Sequence, residues 1–363
     1  MGVAQWAYPP PVAVQAAAEQ RADGRACVTT SACDPCDPTD RQILHARCCS
    51  GDDIHRDKAT QAPCFRSFPA VSEHIIALHK RSTCPVLAHA SSLLGCKPIL
   101  TEHIRHAEQL AASLPSDASL LVVSGGDGTV SEVVNGLMQR PSEQRPSVLI
   151  IPGGSGNDVA RMLGLRRNAA DVARRLRERR TVQWDVLRAE LTSPLNVPDV
   201  RYCINVMSAG ITADVSQVFN RSMRWLPPDL GYIAAALVSF SRFSPRLARL
   251  SHDGAEARQR LLLAVFANSR WFGSGMGVAP HAAPDDGMID LTVAGSVSPL
   301  QFVGMIPTLR KAREVSNPEI QYLRAAAGSL DAETPLPIEI DGEFSGFTPL
   351  KVTVIPRAIT FVS

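Results

Sequence analysis

The sequence predicts an α/β domain built on a parallel sheet, followed by a β-rich, sandwich-like all-β domain, with the active cleft between them. Three observations carry this. Two aliphatic runs, at residues 120–123 and 148–151, each lead into a glycine-rich turn and then a helical pattern. The two turns lie roughly 25 residues apart, about one right-handed strand–helix–strand crossover, so both fall at the same carboxyl edge of a sheet. Beyond Thr181, alternating or apolar runs recur between Gly, Pro and Asp turns, with helical interruptions at 212–243 and 299–312.

The first turn lies in VVSGGDGTVSEVVNGL, residues 122–137. The run before it suits a strand buried on both faces. Gly125, Gly126 and Gly128 permit backbone angles that a Cβ resists and let another group approach the main chain. Val130, Val133, Val134 and Leu137 then recur at helical spacing, and Gly136 is placed to loosen the helix end. Strand, glycine turn and helix start aim free N–H groups at an anion. The second stretch, VLIIPGGSGNDVARML (148–163), repeats this order with Gly153, Gly154 and Gly156, and offers Ser155, Asn157 or Asp158 as a helix cap. Two facing loops with an Asp in each suit a polyphosphate and its Mg²⁺.

Composition narrows the partners. A net charge of +2 on 363 residues indicates no nucleic-acid partner. No apolar run reaches bilayer-spanning length, and LGYIAAALVSF (230–240) is too short. The N-terminus lacks a secretory pattern, and Trp6 stands where myristoylation expects Ser or Thr. Eight of the nine cysteines precede residue 97, yet the CDPCDP pair has no second Cys-x-x-Cys to complete a zinc site. Residues 1–80 are therefore expected to be a largely disordered, reduced, cytoplasmic leader. Residues 81–180 are expected to form the nucleotide-binding domain, and 181–363 a β-rich second domain. LRRNAADVARRLRERR (165–180) reads as a basic amphipathic helix, either a solvated face or a contact for anionic headgroups.

Gly-Gly-Asp-Gly-Thr and Gly-Gly-Ser-Gly-Asn-Asp together resemble the catalytic domain shared by diacylglycerol, sphingosine and ceramide kinases and their bacterial relatives. TEHIRHAEQLA (101–111), FANSRWFGSGMGVAPHAAPDDGMIDL (266–291) and IEIDGEF (338–344) agree with that family in order and spacing. The resemblance covers roughly residues 85–363. It implies an NAD-kinase-like or phosphofructokinase-like first domain, ATP and Mg²⁺ as cofactors, and a lipid hydroxyl met at a membrane surface by a peripheral enzyme. One family feature has no copy upstream of residue 101: the strand ending in Asn-Pro with a small glycine turn. Either other residues rebuild that edge or catalysis is lost, which keeps a silent nucleotide- or lipid-binding protein in view. NAD kinases share Gly-Gly-Asp-Gly but not the second loop.

By this resemblance the backbone of Gly125, Gly126, Gly128, Gly153, Gly154 and Gly156 cradles phosphates, with Thr101, Thr129, Ser155, Asn157 and Asp158 beside it. Glu132 either contacts the nucleotide or favours a helix N-terminus by its charge. Asp127 takes a metal or general-base role, or only braces its turn. Asp341 resembles the base of bacterial relatives, and Glu343 would face the nucleotide. Asp286, with the Met288 carbonyl, resembles a structural Mg²⁺ site, since hard oxygen ligands suit that ion. In NVMSAGITADVSQVF (205–219) the second position after Asp214 is Ser216, where sphingosine kinases carry an acid. A cationic amine would lose a charged hydrogen bond of about 1.5–3 kcal/mol. A neutral acceptor, diacylglycerol- or ceramide-like, is expected instead.

Overall fold

The structure is a computed structural model that describes residues 72–78, 84–223, 225–273 and 275–363. The expected leader, including the CDPCDP pair, lies outside the described residues apart from the strand at 72–78.

Short aliphatic runs make the first domain's strands, and amphipathic segments make the helices between them. In chain order these are β1 (Ser72–Leu78), α1 (Pro85–Leu94), β2 (Ile99–Thr101), α2 (His106–Ala112), β3 (Ala118–Gly125), α3 (Asp127–Met138), β4 (Ser147–Pro152), α4 (Asp158–Met162) and α5 (Ala169–Glu178). The strand order is β2-β1-β3-β4, all parallel. The order reverses between β1 and β3, and such a switch point opens a crevice at the carboxyl ends of the strands. Leu120, Leu121, Val122 and Val123 are all buried, as expected of a strand covered on both faces. β1 was not anticipated as part of this sheet, yet Ile75 and Ile76 sit in its core beside Val122 and Val123.

One local expectation is corrected. Gly136 does not loosen a helix end; a Cβ there would lie 2.2 Å from the Glu108 carbonyl oxygen, so glycine lets α2 and α3 cross closely. The basic helix α5 is capped by Asn168, whose Oδ1 accepts from Ala170 N–H (2.8 Å). Its Arg175 is buried, donating to Asp171 (3.0 Å) and to the Gly164 carbonyl (3.1 Å), while Arg174 bridges Asp171 and Glu178.

The second domain follows as β5 (Thr181–Thr192), β6 (Pro198–Cys203), β7 (Val206–Gly210), α6 (Ile211–Val218), a π-helical turn (Phe219–Met223), α7 (Pro228–Phe240), β8 (Arg246–His252), β9 (Ala255–Leu261), β10 (Leu263–Ala267), β11 (Trp271–Phe272), β12 (Met276–Gly277), β13 (Ile289–Ala294), α8 (Pro299–Leu309), β14 (Ile320–Ala325), β15 (Ala327–Ala332), β16 (Pro337–Ile340) and β17 (Glu343–Val362). One antiparallel layer runs β14-β13-β10-β7-β16-β17, and β17 continues into a second layer through β5 and β15. Leu187, Leu250, Leu330 and Val352 of the second layer meet Met207, Phe266 and Leu291 of the first in one core. This is the expected sandwich. β17 also returns to the first domain, where Phe361 pairs parallel with Val148 and joins its core beside Trp184.

Candidate active site

The two glycine loops touch. Gly153 N–H donates to the Gly125 carbonyl (2.7 Å), extending the β3–β4 ladder into the loops. A Cβ on Gly126 would lie 2.8 Å from the Gly154 Cα, so glycine is required here for loop-to-loop contact. Asp127 and Val159 tie the loops a second time: Asp127 Oδ1 accepts from Val159 N–H (3.2 Å). Asp127 thereby supplies the cap of α4, a role expected of Ser155, Asn157 or Asp158. The Asn157 side chain instead folds back on Gly154, accepting its N–H and donating to its carbonyl (both 2.8 Å). Asp158 pairs with Arg161, which also reaches the Gly156 carbonyl and lies over the Trp271 ring. The arginine that fastens the second loop to the β11–β12 hairpin was missed; only its spacing from Asp158 marked it.

Burial pushes the Asp127 carboxyl above its ordinary range, opposed by N–H groups of Val159, Asp158 and Asn157 and by Arg161. α3 begins at Asp127 with no side-chain cap, so the N–H groups of its first turn stay available to an anion.

Glu132 lines the cleft and also meets a helix start. Its Oε1 accepts from Arg105 N–H (2.9 Å) and its Oε2 from Ala107 N–H (3.1 Å), which serves the N-terminus of α2. Thr101 is buried at the end of β2 and is not among the residues lining the cleft.

Asp341 and Gly342 form the two-residue turn between β16 and β17, at φ 50° and 93°. Positive φ at both positions is the geometry that selects Asp-Gly in tight hairpins. The Asp341 carboxylate accepts N–H groups from Ile204 (3.2 Å), Asn205 (3.0 Å) and Val206 (3.2 Å), and the Cys203 thiol (3.1 Å). Burial still outweighs these donors and holds its carboxyl above the ordinary range. Glu343 comes close to the first loop, with Oε1 3.5 Å from where a Cβ on Gly128 would stand. Partial removal from water, then the charges of Glu132 and Asp341, raise its carboxyl.

These groups share one cavity of about 620 Å³. Gly126, Asp127, Gly128, Thr129, Ser155, Gly156 and Glu343 line its polar end, and Asp341 and Asn205 also line it. The other end is apolar, walled by Val215 of α6, Tyr232 and Phe240 of α7, and Phe302 and Met305 of α8. Glu339 lines it too, a buried acid that drew no attention in the sequence because nothing there tells which face of β16 it occupies. Glu339 Oε1 accepts from the Ser216 hydroxyl (2.6 Å). A carboxyl group from the neighbouring strand thus stands beside position 216.

The residues fit a nucleoside triphosphate: an uncapped helix N-terminus and a glycine cradle open on the cleft. Among the described residues no three His, Cys, Asp or Glu side chains converge as a metal cage. The turn at Asp286 and Met288 lies elsewhere. Asp286 is paired with Arg324 and accepts Met288 N–H (3.0 Å), while Gly287 N–H donates to Asp185 (2.7 Å). An ion there would compete with the Arg324 guanidinium for the same carboxylate.

Comparison with known proteins agrees with this architecture. Residues 79–189 match the diacylglycerol kinase catalytic domain, and residues 205–363 match the YegS C-terminal NAD kinase beta sandwich-like domain. A diacylglycerol kinase of Mycobacterium tuberculosis is 32% identical over 253 residues, 69% of this chain and 78% of that protein. A probable YegS-like lipid kinase of Chromohalobacter salexigens is 29% identical over 245 residues, 66% of this chain and 74% of that protein. The fold matches a crystal structure of a putative diacylglycerol kinase from Bacillus anthracis with a TM-score of 0.63 at 22% identity, covering 81% of this chain and 98% of that one. The chain belongs to the diacylglycerol kinase and YegS-like family of lipid kinases.

Proposed function

We propose that the protein transfers the γ-phosphoryl group of ATP to the hydroxyl of a neutral, acylated lipid, diacylglycerol- or ceramide-like, presented at a membrane surface. The observation that carries this reading is the single cavity running from the glycine loops, past Asp341, into an apolar pocket beneath α6, α7 and α8. Phosphoryl transfer needs little covalent chemistry from the protein; it needs the two oxygens in line and the charge neutralised.

The backbone of Gly126–Thr129 and Gly154–Gly156 binds the phosphates, with the Thr129 and Ser155 hydroxyls beside them. Mg²⁺, when bound with the nucleotide, neutralises phosphate charge, and Asp127 is the carboxylate placed to meet it. Asp341 lines the same cavity, and a carboxyl raised by burial is a fitting base for the proton of the acceptor hydroxyl. Glu343 orients the nucleotide side of the cleft.

Access from a bilayer fits the outer faces of the helices that wall the pocket. Trp225, Leu230 and Leu237 at α7 and Leu300 and Val303 on α8 are exposed. No helix among the described residues is long and apolar enough to cross a membrane. The test is a kinase assay on a lipid panel (diacylglycerol, ceramide, sphingoid base), with products identified by mass spectrometry. Phosphorylated diacylglycerol or ceramide is expected. ATP binding without any lipid product would favour a silent binding protein.

A further inference from the structure

Strand β16 turns Ile338 and Ile340 into the sandwich core and Glu339 to the opposite face, where it lines the cavity. Glu339 is 1% exposed, and the hydroxyl bonded to its Oε1 comes from a residue itself buried, Ser216. Its Oε2 has no partner among the described residues. A buried polar atom left unmatched costs about 1–3 kcal/mol, so a ligand group that satisfies it binds preferentially. On one face of α6, Thr212 and Ser216 stand one turn apart in the lining beside it. Thr212 is already bonded to Ser208 (2.7 Å), which leaves Glu339 as the open group.

Position decides what it meets. Glu339 precedes Asp341 by two residues across the end of β16, near enough for the Asp341 charge to act on it, and both line the cavity. A lipid whose hydroxyl meets Asp341 therefore presents the substituent on its adjacent carbon towards Glu339. Charge decides the polarity of the contact. Burial first, opposed by Ser216 and reinforced by the charge of Asp341, pushes the Glu339 carboxyl up to about 8. At neutral pH the group therefore keeps its proton. Ser216 donates to Oε1, so the O–H belongs to Oε2 and requires an acceptor. An ester or amide carbonyl is such an acceptor, whereas an ammonium group has only donors to offer.

We infer that Glu339 and Ser216 form an acceptor-reading site, in which Glu339 Oε2 hydrogen-bonds the acyl carbonyl on the carbon next to the hydroxyl being phosphorylated. The inference rests on the lipid-kinase reading above and adds which feature of the acceptor the cavity senses.

The experiment compares four acceptors of equal chain length in mixed micelles at saturating ATP. They are a 1,2-diacylglycerol, its carbonyl-free dialkyl ether analogue, an N-acylated amino alcohol and the free lipid amine. Wild type is expected to use at least one acylated lipid with kcat/KM about tenfold or more above the diether. Glu339→Met should bring that ratio close to unity by slowing the acylated lipid, with thermal melting reporting that the variant is folded. Glu339→Gln, which keeps a neutral donor, should retain the preference, and the ester and amide arms identify which carbonyl is read. Equal wild-type rates on diester and diether overturn the inference without any variant. So does a folded Glu339→Met protein with its preference intact, or a wild-type preference for the free amine that Glu339→Gln abolishes. If wild type phosphorylates none of the four, the lipid-kinase reading itself fails, and that result is distinct from equal rates.

Discussion

Asp127, in the first glycine loop, accepts the backbone N–H of Val159, in the helix that follows the second loop, at 3.2 Å. One carboxylate thus fixes the spacing of both phosphate-facing turns. Asp127→Ala removes a helix cap and should cost about 1–2 kcal/mol in denaturant unfolding, while Asp127→Asn keeps an acceptor and should cost less than about 1 kcal/mol. Equal losses for the two would show that the bond to Val159 carries no weight.

The Cα-to-Cα approach of the loops gives a second test. Gly126→Ala would set a Cβ 2.8 Å from the Gly154 Cα, against backbone that cannot turn aside. Displacing reacting groups by about 1 Å costs on the order of 100-fold in rate, and kcat/KM for ATP should fall by that order. Gly304→Ala is the control: nothing lies within 4 Å of a Cβ there, and it sits inside α8. It should raise stability by about 0.5–1 kcal/mol through helix propensity, with activity unchanged.

Stability should depend on pH through Glu339. Burial raises its carboxyl from the ordinary 4.5 to about 8, so the folded chain holds a proton that the unfolded chain releases earlier. Its contribution is full below about 4.5 and is lost as pH rises towards 8. Glu339→Gln removes that dependence and should be more stable than the parent by a few kcal/mol near pH 9, with little difference near pH 4. Unfolding midpoints whose difference stays constant across this range would contradict the assignment.

Much of this architecture was legible because its signals are local. The aliphatic run at 120–123, the glycine turn and the Val130–Leu137 spacing all lie within about twenty residues, and they became β3, the loop and α3 as expected. What escaped depends on distant partners. Glu132 serves α2 from 25 and 27 residues away, and Gly136 answers to Glu108 across a helix crossing. β1 reads weakly because Glu73 and His74 interrupt its apolar pattern, although Ile75, Ile76 and Ala77 are fully covered in the sheet. At the candidate site the motif glycines and Asp341 come together, but the internal bonds of Asp127 and Asp341 were invisible. So was Glu339, since alternation in Pro337–Ile340 identifies a polar face without saying what covers it.

The exposed apolar side chains just before α7 and on α8 set a further expectation. Trp225→Asp with Leu300→Asp should lower activity on vesicle-embedded lipid about tenfold or more, through loss of apolar burial at the interface. Activity on a short-chain, water-dispersed acceptor should be spared, since neither residue lines the cavity. Equal losses on both substrates would place these residues outside membrane docking.

The most direct measurement is transfer of radiolabel from the γ-position of ATP to acylated lipid in mixed micelles, by wild type and by Asp127→Asn side by side. The expected result is labelled phospholipid from wild type and roughly 100-fold less from the variant, with the fold retained. Labelling by Asp127→Asn equal to wild type would contradict the claim that the two joined loops and this carboxylate make the phosphoryl-transfer site.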